Sequence, residues 1–214
     1  RGDPVRMLRA ARFAGKLGFT LHPDTEAPLH RLAYMLDSVP AARLFDETMK
    51  LLLAGSAVPS FDMLVSLGLL PHLMPDVAAA LAEAPDSPGA RLLRLGLENT
   101  DQRVRADKSV TPTFLFAVLL WPAILRAAGT PNGPLPEDPQ LLSSACDAVM
   151  SQQLRRIAVP KRFGLPMRDL LLMQPRFERR SGRRALRMLD HPKLRAAYDL
   201  LLLRAAAGEV EPEV

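Results

Sequence analysis

Along most of this chain apolar residues recur every three or four positions, while the sustained apolar–polar alternation of a half-buried strand is missing. Leucine, alanine and arginine dominate and β-branched residues are sparse, which favours helix. The 20 prolines punctuate this pattern instead of clustering into a linker. Pro4, Pro23, Pro40, Pro71, Pro75, Pro88, Pro112, Pro139, Pro160 and Pro192 stand where helices start or stop, since proline suits a first turn and breaks an interior. The pattern predicts helices over Pro4–Leu17, Asp24–Leu36, Ala41–Ala54, Ser60–Leu67, Asp76–Ala84, Pro88–Asn99, Thr113–Ala128, Pro139–Ala158, Arg162–Arg179, Arg183–Leu189 and Pro192–Ala207. The expected fold class is therefore all-α with short connections. GTPNGPLPEDP, from Gly129 to Pro139, has no apolar period and reads as an exposed loop. No fixed-period repeat supports a solenoid.

With 48% hydrophobic residues in 214, the chain can bury an ordinary core. Phe114, Phe116, Leu119, Leu120 and Trp121 share a helical register and read as part of it. The longest apolar run, Phe114–Leu125, is too short for a bilayer span and carries Pro122, so no membrane association is expected. No export signal is evident. Cys146 is the only cysteine; it excludes an internal disulfide and a cysteine-based zinc cluster and agrees with a cytoplasmic location. His22, His30, His72 and His191 lack metal-ligand spacing and read as surface or capping residues. With no glycine-rich phosphate loop, no GxSxG elbow and no paired carboxylates at a strand end, no self-contained active site is visible.

Charge changes the picture once it is located. The net charge is +5, yet 14 Lys and Arg stand between Arg155 and Arg204 against four acids, Asp169, Glu178, Asp190 and Asp199. Either a solvated helix face or a polyanion-binding surface has this composition. Between Lys161 and Arg187, Ser181-Gly182 interrupts the helical pattern, and a glycine among arginines allows close approach to phosphates. Aromatics are few there, so binding would be mostly electrostatic and tolerant of sequence.

The chain opens RGDPVRMLRAARFAGKLGF. Asp3 before Pro4 suits a helix cap. At about 100° per residue Arg6, Arg9 and Lys16 lie on one side with Phe13, while Met7, Ala10, Ala14 and Leu17 form an apolar stripe. Asp3 and Arg6 place a carboxylate and a guanidinium side by side at a helix start, which can hydrogen-bond a nucleobase edge but equally makes an ordinary salt bridge. Arg43, Asp46 and Glu47 in ARLFDE read as an internal salt-bridge set near this helix.

DPVRMLRAARFAGKLGF resembles the first neck helix of the nucleotidyltransferases that add CCA or poly(A) to RNA 3′ ends, with its E-D-x-x-R pattern. PAARLFDETMKLLLAG and LVSLGLLPHLMP are similar to the segments that follow. TPTFLFAVLLWP and the long block from LRRIAVPKRFGLPM to AAYDLLLLRA narrow the resemblance to bacterial poly(A) polymerases. The resemblance implies a neck over 1–55, a helical body over 56–130 and basic RNA-binding helices over 139–214. It assigns nucleotide-base contact to Asp3 and Arg6, with Arg9 helping. It assigns RNA contact to Lys161, Arg162, Arg168, Arg176, Arg179, Arg180, Arg183, Arg184 and Arg187. The implied activity is adenylate transfer from ATP to RNA 3′ ends with Mg²⁺. The implied metal-binding carboxylates belong to a head domain ahead of the neck, so this chain alone is expected to be inactive. Gly2 stands where the pattern usually has glutamate. A tRNA CCA-adding fragment and a free-standing helical RNA-binding module are the alternatives.

Overall fold

The computed structural model describes residues 2–178 and 188–210, and all regular elements among them are helical. In order they are α1 (Val5–Leu17), α2 (Pro23–Leu32), a 3₁₀ segment (Ala33–Ser38), α3 (Ala41–Leu52), α4 (Ala57–Ser66), α5 (Leu70–Leu73) and α6 (Pro75–Glu83). Then follow α7 (Pro88–Arg105), α8 (Pro112–Ala127), α9 (Pro139–Arg156), α10 (Lys161–Leu172), α11 (Gln174–Glu178) and α12 (Leu194–Ala206). The all-α expectation holds. The helix expected over Arg183–Leu189 lies, except for its last two residues, outside the described residues.

Several boundaries differ from expectation, and three of them have a visible cause. The expected helix Arg162–Arg179 breaks at Met173 because Pro175 has no N–H to give to Leu171. Helix α7 outruns its predicted end by six residues, and Arg103 and Arg105 suit its negative C-terminal end. Helix α4 begins earlier than expected, at Ala57, because a distant residue caps it. The Asp101 carboxylate, 3% exposed, accepts from the Ala57 N–H at 2.5 Å and the Val58 N–H at 3.1 Å. A buried carboxylate at a helix N-terminus satisfies orphan donors and complements the dipole.

The chain forms two compact units. The first comprises Arg1–Ala79, Leu97–Val110 and Gln152–Val159. In it α1 packs against α3 and α4, burying Met7, Leu8, Ala11 and Ala14 with Leu44, Leu51, Phe61 and Leu64. Each of the leucine, methionine and phenylalanine side chains contributes roughly 1.5–3 kcal/mol through burial, and the two alanines less. The approach is close: a β-carbon on Gly15 would lie 2.7 Å from the Ser60 backbone. Leu17, expected on the apolar stripe, is 53% exposed, because the buried arc is centred on Leu8 and Ala11 and Leu17 lies well round from it. Arg156 ties the last segment in, donating to the carbonyls of Leu36 and His72. The Ala158 N–H donates to the Ala41 carbonyl at 3.1 Å.

The second unit comprises Ala80–Gly96, Thr111–Ser151 and Pro160–Val214. Its axis is α8, buried at every position from Leu115 to Leu125, as a helix apolar all round requires. Helices α10 and α12 pack on it. Gly96 of α7 meets it too closely for a side chain, since a β-carbon there would lie 2.2 Å from Val118 Cγ1. The loop expected over Gly129–Pro139 is largely exposed, with Leu135 anchored in the core. Cys146 is buried, which pushes its thiol up to about 12 and leaves it inert as a nucleophile.

Candidate nucleic-acid interface

Helix α1 carries no acidic residue, and its outward side presents Arg6, Arg9, Phe13 and Lys16. Asp3 stands just ahead of it. One Asp3 oxygen, Oδ1, accepts from the Val5 N–H at 3.2 Å, and the Asp3 carbonyl accepts from the Arg6 N–H at 3.0 Å. The other oxygen, Oδ2, pairs with the guanidinium of Arg43 on α3. Partial burial pushes the Asp3 carboxyl up, but the Val5 N–H, the Arg43 guanidinium and the nearby Arg9 charge together hold it below the ordinary carboxylate value.

One turn further along α3, Glu47 answers Arg9. Its Oε1 accepts from Arg9 Nη2 at 3.5 Å and from Lys50 Nζ at 3.2 Å. Burial pushes the Glu47 carboxyl up, and these two cations pull it below its ordinary value. Arg43 and Glu47 thus project from one face of α3 with opposite charge, each matched to α1 or its leading residue. The expected salt-bridge set is present in these two members, while Asp46 is exposed.

Arg6 differs from both neighbours. It is exposed and makes no ion pair among the described residues, so its guanidinium keeps its donors. A β-carbon on Gly2 would lie 3.6 Å from Arg6 Nη1, so the residue at position 2 stands alongside that guanidinium.

In the second unit Lys161, Arg162 and Arg176 are exposed, and the Arg162 guanidinium lies 4.8 Å from the Phe163 ring centroid. Arg168 is placed differently. Its Nε and Nη2 donate to the two oxygens of Asp147 at 2.6 and 2.9 Å, and Nη2 also reaches Ser143 Oγ at 3.2 Å. That fork raises the Arg168 pKa and lowers that of Asp147. Arg179, Arg180, Arg183, Arg184 and Arg187 lie outside the described residues.

Not every cation of the basic block is turned outward. Arg204 is fully buried, donating from Nε to Glu209 at 2.8 Å and from Nη2 to Glu178 at 2.6 Å. Its Nη1 donates to Gln174 Oε1 at 3.3 Å. Its partners lie 26, 30 and five residues away, none at the i,i+3 or i,i+4 spacing of a helical pair, so no local pattern marked it. The histidines follow the capping reading in part: His22 accepts from the Asp24 N–H and His191 from the Lys193 N–H. His72 pairs with Asp37. Among the described residues, no three His, Cys, Asp or Glu side chains gather as a metal site, and no helix is long and apolar enough to cross a membrane.

Two family models match this chain. Residues 137–214 match the polymerase A arginine-rich C-terminus, and residues 18–81 match the probable RNA and SrmB-binding site of polymerase A. Poly(A) polymerase I of Escherichia coli O6:H1 is 43% identical over 208 residues, covering 96% of this chain and 44% of that protein. Poly(A) polymerase I of Haemophilus influenzae is 37% identical over 209 residues, covering 95% of this chain and 45% of that protein. A CCA-adding enzyme of Actinobacillus succinogenes is 37% identical over 86 residues, 38% of this chain and 22% of its own length. This chain spans less than half the length of the poly(A) polymerases it matches. With nearly every residue aligned to those proteins and both helical segments matched, the chain belongs to the bacterial poly(A) polymerase family.

Proposed function

We propose that this chain supplies nucleotide-base recognition and RNA grip to a template-independent polynucleotide adenylyltransferase that extends RNA 3′ ends from ATP. The observation that carries this reading is the Asp3 carboxylate, held in place from two sides, three residues ahead of an exposed Arg6 that makes no ion pair among the described residues. Adenine presents an amino donor next to a ring-nitrogen acceptor. A fixed carboxylate accepts from the first and a free guanidinium donates to the second. Arg9, held by Glu47, adds positive charge to the same face. Lys161, Arg162 and Arg176, with the arginines of 179–187, would hold the RNA backbone through charge, without reading sequence. The neck, body and basic C-terminal division of the chain belongs to this proposal.

Mg²⁺ and ATP belong to the whole reaction. In this proposal the Mg²⁺ is held by the metal-binding head domain that the resemblance implies, and this chain contributes recognition of nucleotide and RNA. Likeness to CCA-adding enzymes covers a smaller part of the chain than likeness to poly(A) polymerases, which favours adenylate-only transfer over CCA addition. The test is made in a longer protein that contains this sequence and transfers nucleotides. Asp3→Ala and Arg6→Ala should reduce ATP over CTP selection while RNA binding persists. Loss of folding with unchanged nucleotide choice would return both residues to helix capping.

A further inference from the structure

A grip built of cations alone would hold the RNA backbone and leave its bases in water. The basic second unit also carries an aromatic surface. Tyr198 of α12 is 45% exposed, and its ring meets that of Phe177 on α11 edge to face, with centroids 6.3 Å apart and planes at 62°. One turn on, Leu202 is exposed on the same side of α12, so the apolar stripe continues beyond the ring.

The two rings are held from both sides. Gln174, three residues ahead of Phe177, donates from Nε2 at 3.0 Å to the carbonyl of Ala197, the residue before Tyr198. Glu178, the residue after Phe177, accepts from the buried Arg204 of α12 at 2.6 Å. Helices α11 and α12 are thus tied together around the pair, and little ordering is left to be done when a ligand arrives. The setting is cationic. Arg176 adjoins Phe177 and is exposed, and Arg195, three residues ahead of Tyr198 on the same side of α12, stands almost wholly in solvent. Of the acids beside the two rings, Glu178 is committed to Arg204, and Asp199 pairs with Arg195 at 3.5 Å, a weak hold at this exposure. An aromatic face rimmed by arginine matches a chain that is anionic along its backbone and flat at its bases.

We propose that Tyr198, backed by Phe177, is a stacking subsite for one base of single-stranded RNA, with Arg176 and Arg195 on the flanking phosphates. This rests on the RNA grip assigned to the basic helices and is independent of base reading by Asp3 and Arg6. Every base has a π face, so the subsite accepts any sequence, and a purine such as adenine offers the broader surface. Its contribution differs in kind from that of the cations: stacking releases no counterions, so salt does not weaken it.

The experiment measures binding of this chain to a short labelled oligo(A) and to an abasic ribose-phosphate oligomer with the same number of phosphates, over a salt series. Wild type, Tyr198→Leu and Tyr198→Phe are compared. Tyr198→Leu should lose roughly tenfold in affinity for oligo(A), the worth of one stacked base, with the slope of log affinity against log salt unchanged. It should bind the abasic oligomer as the wild type does. Tyr198→Phe keeps the ring and should retain the affinity. Unchanged oligo(A) affinity in Tyr198→Leu would overturn the subsite and leave the patch to a protein partner. Equal losses on both oligomers would also overturn it, since they would mark a structural role for the ring. A wild type that binds neither oligomer would overturn the RNA grip itself, and the subsite with it.

Discussion

The Arg204 guanidinium lies 5.3 Å from the centroid of the Trp121 ring, and Glu209 joins the two by accepting from Arg204 Nε and from Trp121 Nε1, each at 2.8 Å. A fully buried cation is sustained here by two carboxylates, an amide and an aromatic face. Arg204→Ala leaves Glu178 and Glu209 without their cation and should cost about 3–5 kcal/mol. Chemical unfolding followed by the fluorescence of Trp121, the only tryptophan, checks this directly. An unchanged midpoint would show that the network contributes nothing to stability.

The fit of α7 against α8 is tested at Gly96. An added methyl group meets Val118, so Gly96→Ala should lose about 1–3 kcal/mol through overpacking. Combining it with Val118→Ala should recover part of that loss, because the obstructing methyl groups are then gone. Thermal unfolding of the two single variants and the double variant gives the coupling.

Cations of the basic block should divide into two classes. Neutralising Lys161 and Arg162 should weaken RNA binding and lower the slope of log affinity against log salt by about one for each phosphate no longer neutralised. Neutralising Arg179, Arg180, Arg183 and Arg184 should flatten it further. Arg168→Gln should leave the slope unchanged and lower stability instead, because its charge is committed to Asp147. Binding isotherms over a salt series, set beside melting curves, separate the two.

Acid should report the same pair. The Asp147 carboxyl is held below its ordinary value of 3.8 by the Arg168 hydrogen bonds. Between the folded and unfolded pKa values the unfolded chain binds more protons, so stability rises with pH there. The contribution is fully present above the ordinary value and is lost as pH falls through the folded one. Asp147→Asn should therefore flatten the acid side of the stability profile, read from unfolding midpoints between about pH 2 and 6.

How far the sequence speaks depends on whether the cause is local. Pro4, Pro23, Pro88, Pro112 and Pro139 all stand at or beside the first turn of a helix, because proline acts through its own ring and its own missing N–H. The burial of α8 from Leu115 to Leu125 is legible for the same reason. The split at Met173 is also local, in Pro175, and is masked in the sequence because the surrounding apolar period continues through it. The start of α4 is not legible, since its cap comes from Asp101, more than 40 residues away. In the candidate site, the resemblance picks out Asp3 and Arg6, and ARLFDE places Arg43 and Glu47 near them. Which acid meets which base is a tertiary fact. Counting Lys and Arg also overstates the charge offered to a polyanion, since Arg156, Arg168 and Arg204 are occupied within the protein.

The Asp101 cap has a consequence for anyone who would borrow this recognition surface. The segment from α1 through α5 is contiguous and invites excision, yet the N-terminal turn of α4 is completed from α7, and the Leu36 and His72 carbonyls are held by Arg156 of α9. A graft of the first 80 residues would leave those donors and acceptors to water, and α4, against which α1 leans, would lose its anchor. The unit that presents Asp3 and Arg6 is therefore transplantable only together with the two later stretches that return to close it.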